Sequence, residues 1–153
     1  MKIGFLGCGS MGGAIARAVS QVTKDIVLTD RSGRGKALAD QLGVAYGSAK
    51  EIAEDCDWIF LAVKPQMMEG LLKSIAPVLA GRKDRFVLAS MAAGLTARRI
   101  QELAGADYPV IRLMPNTPAE VGAGVIQFCG VDVEPGELKD FQTLLAPAGL
   151  VDQ

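Results

Sequence analysis

Short apolar runs alternate along the chain with longer stretches in which apolar residues recur every three or four positions. The first pattern predicts strands and the second predicts amphipathic helices. Because strands and helices alternate, the pattern predicts an α/β domain with a doubly wound, mostly parallel sheet and right-handed crossovers. The predicted strands span residues 2–6, 25–29, 44–46, 58–63, 86–90, 110–114 and 125–129, and the predicted helices span residues 11–22, 35–42, 49–54, 66–79, 97–103 and 137–145.

The sequence contains no linker, repeat or low-complexity segment, so residues 1–153 are assigned to one domain. We expect no further element beyond Gly149. The last predicted helix carries Phe141, Leu144 and Leu145 on one face. We expect this face to pack against the sheet of the same domain rather than to remain exposed.

Polar residues and glycines mark several helix ends. Ser48, with Glu51 three residues later, has the form of a capping box. Thr96 is a candidate N-cap for the fifth predicted helix, and Gly43 is placed to end the second.

The first predicted strand runs directly into a glycine-rich segment, GCGSMG at residues 7–12, that precedes the first helix. Gly7 would permit a tight turn, Gly9 would let backbone N–H groups approach an anion, and Gly12 would let the helix lie close to the strand. The N–H groups and the positive dipole end of the helix would then face the anion. This order of strand, turn and helix predicts a Rossmann-like site for a dinucleotide diphosphate. The alternative is a glycine-rich turn that binds nothing.

The second predicted strand ends at Asp30, about twenty residues after the glycine segment, where a carboxylate normally binds the adenosine ribose and favours NAD. The residues that follow are the kind that receive the 2′-phosphate of NADP, namely Arg31, Ser32, Arg34 and Lys36. We assign Arg31 and Ser32 to that phosphate and favour a solvated loop for Arg34 and Lys36. NADP is therefore the first choice of cofactor, and NAD is the alternative.

The composition argues against nucleic acid, membrane and metal ions as binding partners. The net charge is −1 and aromatic residues make up 5% of the chain, which argues against nucleic acid. No apolar stretch reaches the ~18 residues of a membrane span. Cys8, Cys56 and Cys129 form no C-x-x-C pair and the chain has no histidine, so we expect no metal site. Three reduced cysteines predict a cytoplasmic protein.

Three later strand ends carry unusual residues, and in a doubly wound sheet these ends share one edge. The segment AVKPQ, residues 62–66, puts a charge and a rigid turn at that edge. The segment SMAAG, residues 90–94, lets a flat ring approach the backbone. In RLMPNTP, residues 112–118, two prolines fix the backbone around Asn116. Taken singly, Lys64 could be solvated and the small residues could serve only packing.

Together, AVKPQ, SMAAG and RLMPNTPAEVGAG resemble pyrroline-5-carboxylate reductase, in the same order and over the whole chain. The resemblance implies that NAD(P)H binds and that hydride passes from the nicotinamide to the C=N carbon of a cyclic imine acid, giving L-proline. It places Asn116 near the nicotinamide. The other cofactor contacts that it implies are Gly7, Gly9, Ser10, Met11, Gly12, Ala62, Val63, Lys64, Pro65, Met91, Ala92 and Ala93.

The chain also departs from this family. Some members carry an asparagine that touches the cofactor where this chain has Ala49. Members continue into a helical domain that forms the dimer and most of the substrate pocket, and its characteristic segment is absent here. We expect a homo-oligomer for the parent enzyme but not for this chain, and little or no activity from this chain alone. Lys64 and Arg112 are the candidates for holding the substrate carboxylate, and no catalytic residue is identified.

Three other functions remain open. A β-hydroxyacid dehydrogenase has the same architecture and carries its catalytic lysine on a later domain, although the RLMPNTP loop argues for the proline enzyme. A non-catalytic nucleotide-sensing domain would bind cofactor without turnover. An S-adenosylmethionine methyltransferase also uses a glycine-rich first turn, but it gives Met11 and the proline-bracketed loop no role.

Overall fold

The structure, a computed structural model, describes residues 1–92, 94–115, 125–148 and 150–152. Within these ranges the chain forms strands β1 Ile3–Leu6, β2 Ile26–Thr29, β3 Ala45–Tyr46, β4 Trp58–Leu61, β5 Val87–Ser90, β6 Val110–Pro115, β7 Val125–Val131 and β8 Leu150–Asp152. Its helices are α1 Ser10–Val19, α2 Arg34–Leu42, α3 Ala49–Asp55, α4 Pro65–Ala80, α5 Ala97–Ala104 and α6 Pro135–Leu145, followed by a 3₁₀ turn at Ala146–Ala148.

The strands form one sheet in the order β3-β2-β1-β4-β5-β6-β7-β8. Strands β1 to β6 pair in parallel, β7 runs antiparallel to β6, and β8 is parallel to β7. The predicted α/β, doubly wound, mostly parallel sheet is confirmed. β7 reverses direction because only residues 116–124 connect it to β6, and a parallel crossover needs a dozen or more.

The expectation that no element follows Gly149 is wrong. Leu150–Asp152 form β8, which pairs in register with Val125–Gln127 of β7. Three residues carry too short a pattern for a strand to be recognised in the sequence. This strand is defined by its backbone hydrogen bonds to β7, and the sequence alone does not show that β7 lies beside it.

Helices cover the sheet on both faces. The apolar residues of α1, α2 and α6 pack on one face and those of α3, α4 and α5 on the other. β4 is buried along its whole length, as its continuous apolar run predicts. Phe141, Leu144 and Leu145 of α6 are buried in the first layer, which confirms that this helix packs on the domain's own sheet.

The helix ends use the predicted caps. Ser48 and Glu51 form a reciprocal capping box at the start of α3, and the Thr96 hydroxyl accepts a hydrogen bond from the Arg99 N–H at 3.1 Å. Gly43 ends α2 with φ 72°, in the left-handed region that favours glycine. In the ranges that the structure describes, we find no helix with the length and apolar character that a bilayer crossing requires.

The sheet order changes direction at β1, since β2 follows on one side and β4 on the other. In open α/β sheets this switch leaves a crevice outside the carboxyl ends of the strands, which is where ligands bind. The glycine turn after β1 and the loops after β2 and β4 all lie at this crevice.

Candidate functional site

A cavity of about 440 Å³ lies at the carboxyl ends of β1, β2 and β4. This volume falls within the ~300–1,000 Å³ usual for ligand sites. Its lining brings together seven of the predicted site residues, namely Gly7, Gly9, Arg31, Ser32, Ala62, Val63 and Lys64. The rest of the lining is Leu6, Cys8, Thr29, Asp30, Arg34, Ala49, Met67, Leu71 and Ser74.

The glycines of the turn differ in the space around them. Gly7 has φ 100°, and a Cβ there would lie 2.6 Å from the carbonyl oxygen of Ala62. A Cβ at Gly12 would lie 2.7 Å from the Cβ of Ala62. Both glycines are therefore needed for α1 and its turn to lie against the end of β4. A Cβ at Gly9 would meet no atom within 4 Å, so this position is open toward the cavity that it lines.

The N-terminus of α1 suits an anion. Its cap, Gly9, has extended backbone angles, and the structure records no side-chain cap bond and no acidic residue in the first turn among the described residues. The first N–H groups of the helix thus lack a side-chain acceptor there. Unpaired N–H groups and the positive end of a helix dipole together favour a phosphate.

Asp30, at the end of β2, is bound by the protein's own donors. Its Oδ2 accepts hydrogen bonds from the Ser32 hydroxyl and the Gly35 N–H, both at 2.9 Å. Its Oδ1 accepts from the Gly33 N–H at 3.2 Å and lies 3.1 Å from the Tyr46 hydroxyl. Burial opposes the charge, but these hydrogen bonds outweigh it and hold the pKa of the carboxyl below its ordinary value. Asp30 therefore anchors the start of α2 as a carboxylate.

Two arginines close to Asp30 in the sequence, Arg31 and Arg34, also line the cavity. Arg31 and Ser32 line it, where the sequence predicted them. Arg34, for which the sequence favoured a solvated loop, is exposed but also lines the cavity. Arg34 is the first residue of α2 and so belongs to a helix start at the cavity rim rather than to a solvated loop.

Helix α4 supplies a wall that the sequence analysis missed. Met67, Leu71 and Ser74 line the cavity together with Val63. Their spacing of four and three residues puts them on one face of the helix, a signal present in the sequence. Lys64 is the exposed N-cap of α4 and Pro65 occupies its first turn, so the charge at the rim stands on a rigid helix start.

Several predicted contacts lie outside this cavity lining. Met11 is half-buried, Gly12 is buried, Pro65 is exposed, and Met91 and Ala92 lie at the end of β5. The Met91 N–H donates to the carbonyl of Leu61 at 3.3 Å, so the end of β5 adjoins that of β4. Ala93, Asn116 and the side chain of Ser10 lie outside the described residues. Their roles stay predictions.

The described site offers few groups for proton transfer. Burial, followed by the nearby Asp30 charge, raises the pKa of the Cys8 thiol to about 11, so it stays protonated. Arg112 is half-buried within β6, in register with Ser90 and Cys129. Across the described ranges, no three His, Cys, Asp or Glu side chains come together to hold a metal ion.

Residues 2–94 match the family model described as NADP oxidoreductase coenzyme F420-dependent. The chain belongs to this family. It is 45% identical over 130 residues to pyrroline-5-carboxylate reductase of Escherichia coli, which covers 81% of this chain and 47% of that protein. The predicted resemblance to this reductase is confirmed.

Two solved structures extend the likeness over nearly the whole chain. A pyrroline-5-carboxylate reductase from Coxiella burnetii has TM-score 0.89 and 25% identity, covering 99% of this chain and 57% of that one. The Plasmodium falciparum enzyme, solved with NADP bound, has TM-score 0.83 and 27% identity, covering 100% and 57%. The chain thus spans about half the length of the relatives that it matches.

Proposed function

We propose that this chain is the cofactor-binding domain of an NADP(H)-dependent reductase that converts 1-pyrroline-5-carboxylate to L-proline, with NAD as the alternative cofactor. The observation that carries the proposal is that one cavity brings together the glycine turn, the basic loop after β2 and the start of α4. The pyrroline-5-carboxylate reductase relatives, one of them solved with NADP, support the choice of reaction and cofactor.

The residues present fit a dinucleotide. Gly9 leaves a side-chain-free opening beside the α1 N-terminus, and there the diphosphate would accept backbone hydrogen bonds. Arg31 and Arg34 would face a 2′-phosphate. The apolar wall of Met67 and Leu71 would hold the adenine.

The nicotinamide end would extend toward the strand ends after β5 and β6. We propose that Met91, Ala92, Ala93 and Asn116 contact it, as the resemblance implies. When bound, the nicotinamide supplies a hydride to the imine carbon. The chain's own task is to fix the ring at a distance of about 3–3.5 Å from that carbon.

A substrate pocket needs more than this domain. The relatives are about twice as long as this chain, and we propose that their further region supplies most of the pocket and the contacts between subunits. Lys64, exposed at the rim, is our candidate for meeting the carboxylate of the imine acid. The chain alone is then expected to bind cofactor with little or no turnover and without forming the oligomer of the parent enzyme. Its free cysteines support a cytoplasmic location.

Ligand titration followed by turnover tests the proposal. NADPH should bind with saturation and compete with NADH, while S-adenosylmethionine should not bind. Turnover of 1-pyrroline-5-carboxylate with NADPH should be absent for this chain and present for a polypeptide that carries the further region. Cofactor binding without turnover in the longer polypeptide would favour the nucleotide-sensing alternative, and failure to bind NADPH would refute the proposal.

A further inference from the structure

Asp30 occupies the position at which a carboxylate ordinarily receives the ribose hydroxyls of NAD, yet donors of the protein already use much of its acceptor capacity. An ionised carboxylate offers about four lone-pair sites. In this structure four donors of the protein surround the two oxygens. A ribose hydroxyl that binds Asp30 would compete with these donors.

One of these donors differs from the others in origin. Ser32, Gly33 and Gly35 come from the loop and the helix start that follow Asp30, whereas Tyr46 reaches it from β3. The Tyr46 hydroxyl lies 3.1 Å from both Oδ1 and the backbone carbonyl oxygen of Asp30. Tyr46 is also one of the few exposed large hydrophobic residues, at 38%, so burial does not explain its position.

Gly35 makes this approach possible. A Cβ on Gly35 would lie 3.0 Å from Oδ1 of Asp30 and 3.0 Å from Cε1 of Tyr46. A side chain at this position would therefore press on both partners. We call Asp30, Gly35 and Tyr46 the Asp30 clamp.

We propose that Tyr46 and Gly35 are positioning residues that set the preference for NADP over NAD by holding Asp30 in this clamp. The inference rests on the proposed cofactor-binding function. In the clamp, Asp30 accepts hydrogen bonds from the protein rather than from the ribose. Arg31 and Arg34, which line the cavity, would then bind the 2′-phosphate. Once released, Asp30 can accept a hydrogen bond from a ribose hydroxyl, and this change favours NADH.

The test compares dissociation constants of NADPH and NADH for the full chain. Tyr46→Phe removes only the hydroxyl, and Gly35→Ala opens the clamp from the opposite side. Tyr108→Phe is the control for Tyr46→Phe, because Tyr108 lies outside the cavity lining. Gly136→Ala is the control for Gly35→Ala, because Gly136 is likewise the second residue of its helix, α6, and a Cβ there would meet nothing within 4 Å.

The expected result is a three- to tenfold fall in the ratio of the NADH to the NADPH dissociation constant for Tyr46→Phe, about the effect of one hydrogen bond. Gly35→Ala should shift the ratio in the same direction, and both controls should leave it unchanged. An unchanged ratio in Tyr46→Phe, with NADPH still bound by the wild type, overturns the inference and leaves the proposed function standing. If Tyr46→Phe does not fold, Gly35→Ala decides by the same criterion.

Two results on the wild-type chain bear on the inference directly. Preference for NADH would overturn the inference while keeping the dinucleotide site. Binding of neither cofactor would overturn the proposed function and the inference together.

Discussion

The proposed site predicts that Gly9→Ala weakens cofactor binding without harming the fold. Gly9 has φ −71° and ψ −170°, angles that alanine adopts freely, and the new Cβ would meet no protein atom within 4 Å. Stability should therefore change little, since alanine restricts the unfolded chain, which favours folding by about 0.4–1 kcal/mol, but is a poorer N-cap than glycine. The same methyl group would stand between the cavity and the N–H groups of α1.

The expected loss of affinity follows from the contacts that the methyl group blocks. Each hydrogen bond to a charged group contributes about 1.5–3 kcal/mol. Losing one such bond to the diphosphate weakens binding by about 10- to 100-fold. Titration with NADPH by fluorescence, together with thermal unfolding, measures both quantities on one sample.

Two nearby glycines serve for comparison, one in the same segment and one just after it. Gly13→Ala lies four residues further along, where the Cβ would make an ordinary 3.7 Å contact with Leu38, and it should leave binding unchanged. Gly7→Ala should instead destabilise the fold, because it combines φ 100° with a clash against the Ala62 carbonyl. Wild-type affinity in a folded Gly9→Ala variant would refute the seating of the diphosphate at the α1 N-terminus.

Three further predictions concern the fold and the thiols. Phe141→Ala should lower the free energy of unfolding by about 3–5 kcal/mol in denaturant titration, since Phe141 is fully buried, whereas exposed Gln142→Ala should change little. Hydrogen bonds from Arg85 hold the pKa of Glu137 below its ordinary value. Their stabilisation of the fold is therefore complete above about pH 4.3 and is lost as the pH falls through the pKa of the folded state. Glu137→Gln should consequently reduce the fall in Tm that acid causes. A thiol reagent at pH 8 should modify exposed Cys129 quickly and the two buried cysteines slowly, and equal rates for all three would contradict the structure.

The sequence predicts best where a residue's role depends on the backbone. Gly7 and Gly12 are needed for the close approach of the turn and helix to the strand end, so the order of strand, turn and helix is enough to assign them. The capping box of Ser48 and Glu51 is equally local, since both partners lie within one helix turn. Elements that depend on distant partners are not predictable in this way, and β8 is the example: its hydrogen bonds come from β7.

Asp30 shows why the side-chain chemistry of the site could not be predicted. From the sequence, a carboxylate followed by two arginines gives opposite indications for NAD and NADP. The structure shows that Asp30 turns toward α2 and Tyr46, a partner sixteen residues away on a different strand. No local pattern contains that contact. The stripe of Met67 and Leu71 on α4 was detectable by helical spacing, but on its own it is equally typical of a helix packed in the core.

In the proposed enzyme, the described cavity would contribute to cofactor binding rather than to the hydride-transfer step. In the proposal, Lys64 at the rim would meet the substrate, whereas the glycine turn, the loop after β2 and the face of α4 that carries Met67 and Leu71 would hold the adenosine and phosphates. Interactions there are the same in the ground state and the transition state, so they set affinity for the cofactor and not the rate of hydride transfer. In the proposed enzyme, the rate would depend instead on how the nicotinamide and imine are held. Gly9→Ala in a longer, active polypeptide should consequently raise KM for NADPH and leave kcat nearly unchanged.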